Sequence, residues 1–215
     1  QIPRGELTLL LGRNGAGKTT TLRTIMGLWQ ASQGKIHFNG HDITGMATPD
    51  IASLNIAYVP ENMGIFSDLT VEENMLLAAR KATRATQIET DRLTWIYAMF
   101  PAVEKFWHHP AGKLSGGQKQ MLAVARAMVE PRDLLIVDEP SKGLAPAIVQ
   151  NMIEAFQKMK ASGVTILLVE QNIHFAQQLG DSVAVMDNGR VIHAGSMAAL
   201  SADPTLQQSL LGLAL

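Results

Sequence analysis

The sequence predicts an α/β fold in which helices cover both faces of a largely parallel sheet. Three short apolar runs indicate strands of this sheet: "ELTLLLG" (6–12), "DLLIVDEP" (133–140) and "GVTILLVE" (163–170). Their apolar residues are successive rather than alternating, which is typical of strands buried on both faces. A helical stretch follows each run, and this order favours parallel strands joined by helices. Residues 184–195, "AVMDNGRVIHAG", instead predict a hairpin, because Asn-Gly is a strong two-residue turn signal.

The segment between "IAYVPE" (56–61) and Leu114 lacks strand signals. It contains helical patterns and a cluster of aromatic side chains that we expect to pack together, so we interpret it as an inserted helical subdomain. The chain is then one domain, 1–215, in which 1–61 and 114–215 form the α/β core and about 62–113 form the helical subdomain.

Composition narrows the function classes. Lys and Arg number 18 against 19 Asp and Glu, so the chain lacks the overall basic field expected of a nucleic-acid binder, and we predict no nucleic-acid partner. Cysteine is absent, which excludes a thiol nucleophile and a thiolate metal site. The longest apolar runs are far shorter than the roughly 18 to 20 residues that span a bilayer.

The first motif that carries chemistry is "GRNGAGKTT", Gly12–Thr20, which follows the first strand and opens a helix. It fits the pattern G-x-x-x-x-G-K-[ST] of a phosphate-binding loop. Glycines let successive backbone N–H groups face one anion at a helix N-terminus. Lys18 is expected to reach the β- and γ-phosphates, and the Thr19 hydroxyl to bind Mg²⁺. The predicted nucleotide-binding residues here are Gly12, Arg13, Asn14, Gly15, Ala16, Gly17, Lys18, Thr19 and Thr20.

The second motif is "LLIVDEP" (134–140), a buried strand that ends in two acids. Asp138 is placed to hold Mg²⁺, and Glu139 to orient or deprotonate an attacking water. A solvated turn after a strand is the alternative, and the phosphate loop argues against it. An acid directly after the metal-binding Asp favours hydrolysis over transfer to a small acceptor.

The third motif is "LSGGQKQ" (114–120), in which Ser115 and Gln118 have the spacing of a capping box. Gly116 and Gly117 are poor choices for a first helical turn unless something approaches the backbone closely. A capped helix start with a bare backbone is a second anion site. Two copies arranged head to tail would each close the other's nucleotide site.

With these three motifs in this order, the sequence resembles the ATP-binding-cassette (ABC) ATPases along essentially its whole length. The resemblance implies a P-loop NTPase core of the ABC type, with ATP and Mg²⁺ as cofactors. It also implies that Ser115, Gly116, Gly117 and Gln118 contact the γ-phosphate of ATP held by the opposite subunit. Three further stretches are similar to the ATPase subunits of branched-chain amino acid importers and of the related urea and short-chain amide systems: "YVPENMGIFSDLTVEEN" (58–74), "DEPSKGLAPAIV" (138–149) and "LLVEQN" (167–172).

Two residues depart from the general family pattern. Glu61 stands where most members have a Gln near Mg²⁺ and the attacking water; a carboxylate can bind the metal but cannot donate a hydrogen bond. The alternative is a neutral substitution within a subfamily. Gln171 stands where most members have a His that contacts the γ-phosphate, whereas His174 falls in the next helix. The resemblance thus implies Glu139, Lys18 and Gln171 as catalytic residues, and it implies Thr19, Asp138 and Glu61 as metal ligands.

The family's adenine-stacking aromatic lies on strands upstream of the phosphate loop, whereas this sequence opens with "QIPRGE". We therefore expect N-terminal strands to be missing, and no adenine-stacking residue is assigned.

The resemblance implies an ATPase that drives solute import and lies peripherally on the cytoplasmic side of a bacterial membrane. Its partners would be a second ABC ATPase subunit, of the same or a related chain, transmembrane permease subunits and, indirectly, a solute-binding protein. Two alternatives stay open: a soluble ABC ATPase of DNA repair or translation, and a regulatory subunit that scarcely hydrolyses ATP.

Overall fold

A computed structural model of the chain describes residues 1–79 and 88–212. Within these ranges, short helices alternate with strands along most of the chain. The strands are β1 (Leu7–Gly12), β2 (His37–Phe38), β3 (His41–Asp42), β4 (Ile56–Val59), β5 (Leu134–Asp138), β6 (Ile166–Glu170), β7 (Ser182–Asp187) and β8 (Arg190–Ser196). The helices are α1 (Lys18–Ile25), α2 (Thr48–Ser53), α3 (Val71–Leu76), α4 (Thr90–Met99), α5 (Pro101–Lys105), α6 (Gly116–Ala127), α7 (Pro146–Ala161), α8 (Ile173–Leu179), α9 (Met197–Ala202) and α10 (Pro204–Leu211).

The main sheet of the described residues has the strand order β4-β5-β6-β1-β7-β8. All neighbours pair in parallel except β7 and β8, which are antiparallel. The predicted parallel α/β fold is therefore confirmed, with the three predicted runs as β1, β5 and β6. The predicted hairpin is confirmed too: Asn188 and Gly189 join β7 to β8 with φ angles of 46° and 76°, the positive values that a tight hairpin turn requires.

The central strands are apolar at successive positions because each face of the sheet meets a hydrophobic layer. Leu7, Leu9 and Leu11 of β1 belong to the larger cluster, which includes residues of α6, α7 and α8. Leu10 points the other way, into a smaller cluster with Leu22 of α1 and Ile51 of α2. Side chains alternate across a strand, so both sets must be apolar.

The sheet order places three strand ends side by side. β6 lies between β1 and β5: Leu11 pairs with Glu170, and Asp138 pairs with Val169. Because the strands are parallel, the loops that follow β1, β5 and β6 leave the sheet at one edge. In parallel α/β sheets ligands bind at this carboxyl edge.

Between β4 and α6 the described residues form helices and turns, with one isolated bridge between Thr70 and Pro110. The rings of Tyr97 and Trp107 pack edge to face there, 5.7 Å apart. These features support the proposal that about 62–113 is a helical subdomain inserted into one domain; residues 80–87 of that segment lie outside the described residues. No helix in the described ranges has the length and apolar character needed to cross a membrane.

Candidate functional site

The phosphate loop lies between β1 and α1 and packs against the β7-β8 hairpin. A Cβ added to Gly12, whose φ is 155°, would lie 2.4 Å from the carbonyl oxygen of Met186. A Cβ on Gly17, with φ 100°, would lie 3.3 Å from the Cα of Gly189. At Gly12 a larger residue would push the loop off the hairpin, whereas at Gly17 the neighbouring Gly189 would have to shift by a few tenths of an ångström. These two glycines thus have a packing requirement besides the one predicted from anion binding.

Lys18 directs its ammonium group into this loop. The side chain is buried, and Nζ donates to the carbonyl oxygens of Gly12 at 2.7 Å and Arg13 at 3.1 Å. Nζ also lies 3.6 Å from Oε1 of Glu139, so it links the ends of β1 and β5. The positive charge sits where the loop would hold phosphate; that Lys18 contacts the β- and γ-phosphates stays a prediction.

Thr19 and Asp138 meet beside Lys18. The Thr19 hydroxyl donates to Oδ2 of Asp138 at 2.9 Å, whereas Oδ1 is buried without a hydrogen-bond partner within the described part of the chain. Burial raises the pKa of Asp138, and the carboxylates of Glu139 and Glu61 raise it further, against the hydrogen bond from Thr19 and the charge of Lys18. An orphaned carboxylate oxygen beside a hydroxyl suits a hard cation with oxygen ligands, so these residues fit Mg²⁺.

We expect Asp138→Asn to raise the melting temperature of the nucleotide-free protein by about 2–4 °C, since losing a buried charge near other carboxylates gains roughly 1 kcal/mol. The raised pKa means that ionisation of Asp138 lowers the free energy of unfolding as pH rises. The difference in melting temperature between Asp138→Asn and the wild type should therefore shrink as pH falls towards the usual pKa of aspartate. Melting curves at several pH values test this, with the exposed Asp68→Asn as control; an unchanged or lower melting temperature would contradict it.

Glu139 has a constrained backbone and lies between two cations. Its φ is 49°, which is uncommon for a non-glycine residue and costs on the order of 1 kcal/mol. The side chain is 8% exposed, with Lys18 Nζ 3.6 Å from Oε1 and Lys142 Nζ 3.5 Å from Oε2. This arrangement holds a carboxylate at the edge of the phosphate loop, as the predicted role in activating water requires.

Gln171, rather than His174, reaches the site. Its Nε2 donates to Oδ1 of Asn14 at 2.7 Å and to Oε1 of Glu139. The amide therefore joins the phosphate loop to the predicted catalytic carboxylate. His174 is the second residue of α8 and is exposed. The geometry agrees with the predicted role of Gln171, which it does not test.

Glu61 forms an ion pair that the sequence did not reveal. Its Oε1 accepts a hydrogen bond from Lys142 Nζ at 2.6 Å, and Lys142 also lies near Glu139. The hydrogen bond from Lys142 to Glu61 and the charges of Glu139 and Glu61 raise the pKa of Lys142. Glu139 and Glu61 lie near enough to Asp138 to raise its pKa, but Glu61 is exposed and paired with a lysine. Its assignment as a metal ligand remains a prediction.

A second residue missed from the sequence is Glu170, the last residue of β6. It is 2% exposed, and burial raises the pKa of its carboxyl group, against hydrogen bonds from the Ser141 side chain and from the backbone N–H groups of Ser141, Asn172 and Gln171. Its position in the run "LLVEQN" shows only that polar residues begin there; nothing in the pattern indicates that the side chain turns back into the protein.

The third motif, "LSGGQKQ" (114–120), begins α6 as predicted. Ser115 Oγ accepts from the N–H of Gln118 at 3.3 Å, and Gln118 Oε1 accepts from the N–H of Ser115 at 2.9 Å, which confirms the capping box. Space beside Gly116 is open, whereas a Cβ on Gly117 would lie 2.6 Å from Ile148. Internal packing therefore explains Gly117, and only Gly116 presents a bare, open surface.

The two helix starts that are predicted to bind anions are separate within one chain. Among the residues that the structure describes, no hydrogen bond or ion pair joins 114–118 to the phosphate loop 12–20. Instead, α6 packs against α5, α3 and β4. A nucleotide contacted by both helix starts would thus need a second subunit.

Comparison with known proteins adds the family. Residues 1–142 match a family model described as ABC transporter. BraG of Pseudomonas aeruginosa, a high-affinity branched-chain amino acid transport ATP-binding protein, is 38% identical over 99% of this chain and 90% of its own length. LivF of Archaeoglobus fulgidus, named "Probable branched-chain amino acid transport ATP-binding protein", is 36% identical over 91% and 82%. The methionine import ATP-binding protein MetN of Haemophilus ducreyi is 31% identical over 96% and 60%.

The fold is shared with solved structures. The ATP-binding subunit of an ABC transporter matches with a TM-score of 0.78 and 32% identity, over 99% of this chain and 86% of that one. An ATP-binding cassette in its ADP conformation matches with a TM-score of 0.79 over 99% and 90%, at 24% identity, and shows the same fold. Since the family model covers well over half of the sequence and the relatives align along nearly all of it, this chain belongs to the ABC transporter family as an ATP-binding ATPase.

Proposed function

We propose that this chain is the ATP-hydrolysing subunit of an ABC importer for branched-chain amino acids. The observation that carries the ATPase chemistry is the convergence of Asp138, Glu139 and Gln171 on the loop that holds Lys18 and Thr19. BraG and LivF, two relatives that align along most of the chain, carry branched-chain amino acid transport in their names. The similarity of 58–74, 138–149 and 167–172 to that branch supports the same solute.

We propose a role for each group, which the described geometry supports. The loop 12–20 binds the triphosphate, with Lys18 facing the β- and γ-phosphates. Thr19 and Asp138 would hold Mg²⁺, with Glu61 nearby; when bound, the metal supplies charge neutralisation on the phosphates. Glu139 orients a water molecule and accepts its proton, and Gln171 stabilises charge that develops on the γ-phosphate.

A second ATPase subunit completes the site in this proposal. Because Ser115–Gln118 lies apart from the phosphate loop of its own chain, it is available to contact nucleotide held by a partner. The partner is a second copy or a related chain. ATP then favours the closed pair, and hydrolysis allows it to open. Nucleotide binding and permease conformation are coupled reciprocally through this closure.

We also propose where the permease docks. A cavity of about 1040 Å³ lies between the core and the helical segment, and Arg23, Trp29, Glu61 and Arg126 line part of it. Trp29 is 47% exposed and stacks against Arg23, so an apolar ring and a cation face the groove together. Permease subunits seated there would place the chain peripherally on the cytoplasmic side of the membrane and connect it indirectly to a solute-binding protein.

Reconstitution tests the function and the solute. The wild-type chain, assembled with the permease and binding protein encoded beside it, should hydrolyse Mg²⁺-ATP several-fold faster when leucine, isoleucine or valine is supplied. Methionine, urea and short-chain amides serve as matched solutes. If only methionine, urea or an amide stimulated hydrolysis, the proposed assignment of branched-chain amino acids as the solute would be wrong. Stimulation by none, with hydrolysis barely above background, would instead favour the regulatory subunit.

A further inference from the structure

The carboxylate of Glu170 connects two loops at the carboxyl edge of the sheet. Oε1 accepts the N–H of Ser141 at 3.0 Å, and Oε2 accepts the N–H groups of Gln171 at 3.1 Å and Asn172 at 3.2 Å. Ser141 belongs to the loop after β5, whereas Gln171 and Asn172 belong to the loop after β6. One side chain therefore holds backbone from both loops.

Packing alone does not account for a glutamate here. The residues before it in β6 are buried and apolar, and an apolar side chain would fill the same space. Burying an ionised carboxylate costs several kcal/mol unless its partners compensate. Within the described ranges Glu170 has no ion-pair partner, so the three N–H groups and the Ser141 hydroxyl provide the compensation. They use both oxygens, which only the ionised form offers fully as acceptors.

The two loops carry the groups proposed for hydrolysis. Glu139 lies two residues before Ser141, and Gln171 directly follows Glu170. The last backbone hydrogen bond between the ends of β5 and β6 runs from the N–H of Glu139 to the carbonyl oxygen of Val169, at 2.9 Å. Past that point, the backbone N–H of Ser141 donates a hydrogen bond to the side chain of Glu170, and this bond connects the loop after β5 to the end of β6. The contact of the Gln171 amide with Glu139 depends on how the loops lie relative to each other.

We propose that Glu170 is a positioning residue for ATP hydrolysis: it holds the loop after β5 against the loop after β6, so that Gln171 and Glu139 stay in contact. The inference rests on the proposed ATPase function of this site. Glu170 makes no hydrogen bond to the phosphate loop among the described residues. Its loss should therefore affect turnover rather than nucleotide affinity.

The test is Glu170→Gln, which keeps the size of the side chain but replaces one acceptor oxygen with an NH₂ group. Either Ser141 or the pair of Gln171 and Asn172 then loses its acceptor. We expect kcat for Mg²⁺-ATP to fall about tenfold, as for losing a hydrogen bond to a charged group. The KM for ATP and the Kd of a fluorescent ATP analogue should change less than about twofold.

A matched control is Thr165→Val, at the other end of β6. Thr165 is buried, and its Oγ1 accepts the N–H of Gly5 at 3.0 Å, far from the hydrolytic groups. This variant also loses a buried hydrogen bond, so it reports general destabilisation, and its kcat should stay near the wild-type value. If Glu170→Gln does not fold, kcat and KM are compared instead for Glu170→Asp. This variant keeps the charge, but its shorter side chain cannot reach the same N–H groups.

A double-mutant cycle separates positioning from a purely structural role. If Glu170 acts through Gln171, adding Glu170→Gln to Gln171→Ala should reduce kcat little further. If the losses of kcat in the two single variants multiply in the double variant, the proposal is wrong. It is also wrong if Glu170→Gln leaves kcat unchanged and weakens nucleotide binding. The proposed ATPase function fails separately, if the wild-type chain does not hydrolyse Mg²⁺-ATP.

Discussion

Glu139→Gln is expected to lower the rate of ATP hydrolysis by about 10²–10⁴-fold, the range typical of losing a general base. The substitution keeps the shape of a side chain that is 8% exposed. It removes the carboxylate that lies beside Lys18 and accepts a hydrogen bond from Gln171. An amide accepts a proton poorly, whereas nucleotide binding uses other groups. ATP should therefore still bind.

Two assays test this prediction: steady-state hydrolysis should show the loss of turnover, and a nucleotide-binding measurement should show that ATP still binds. Light scattering with ATP should also show a longer-lived dimer for Glu139→Gln than for the wild type, because the closed pair is not released by hydrolysis. Glu154→Gln, on the exposed face of α7, is the matched control for a change of one charge. Unchanged turnover in Glu139→Gln would refute the catalytic assignment.

Gln171→Ala is expected to slow hydrolysis by about 10- to 100-fold, as hydrogen bonds to charged groups contribute roughly 1.5–3 kcal/mol. The amide contacts Asn14 in the phosphate loop and Glu139 at the end of β5, and alanine reaches neither. The loss should appear mainly in kcat, because Gln171 is expected to act on the charge that develops during attack.

His174→Ala is the matched control for Gln171→Ala, three residues further along the same segment. His174 is exposed on α8, and its turnover should stay within about twofold of the wild type. A larger loss of turnover in His174→Ala than in Gln171→Ala would contradict the prediction. It would show that His174, not Gln171, takes the role of the histidine that most family members have at the end of this strand.

Local patterns predicted the parts of the molecule that depend on neighbouring residues. Successive apolar positions predicted β1, β5 and β6, since a strand covered on both faces has no polar side. Asn188-Gly189 predicted the hairpin, because two consecutive positive φ angles suit few other pairs. The spacing of Ser115 and Gln118 predicted the capping box, which closes within one helical turn.

Contacts between distant segments were not predictable in this way. Glu61 and Lys142 are 81 positions apart, and Ser141 and Glu170 are 29 positions apart. Each pair depends on where two loops lie after the strands are ordered, and no periodicity of the sequence encodes that order. Gly117 shows the same limit: its position in a helix start did not predict that an added Cβ would lie against Ile148 of α7.

By itself, the sequence determined the α/β class, the phosphate loop, the strand that ends in Asp138 and Glu139, and the family. Only the tertiary structure decided that Gln171 bridges Asn14 and Glu139, that Lys142 pairs with Glu61, and that Glu170 turns back to hold the loop of Ser141. The physical reason is the strand order: β6 lies between β1 and β5, and parallel pairing brings to one edge side chains that are far apart in the chain.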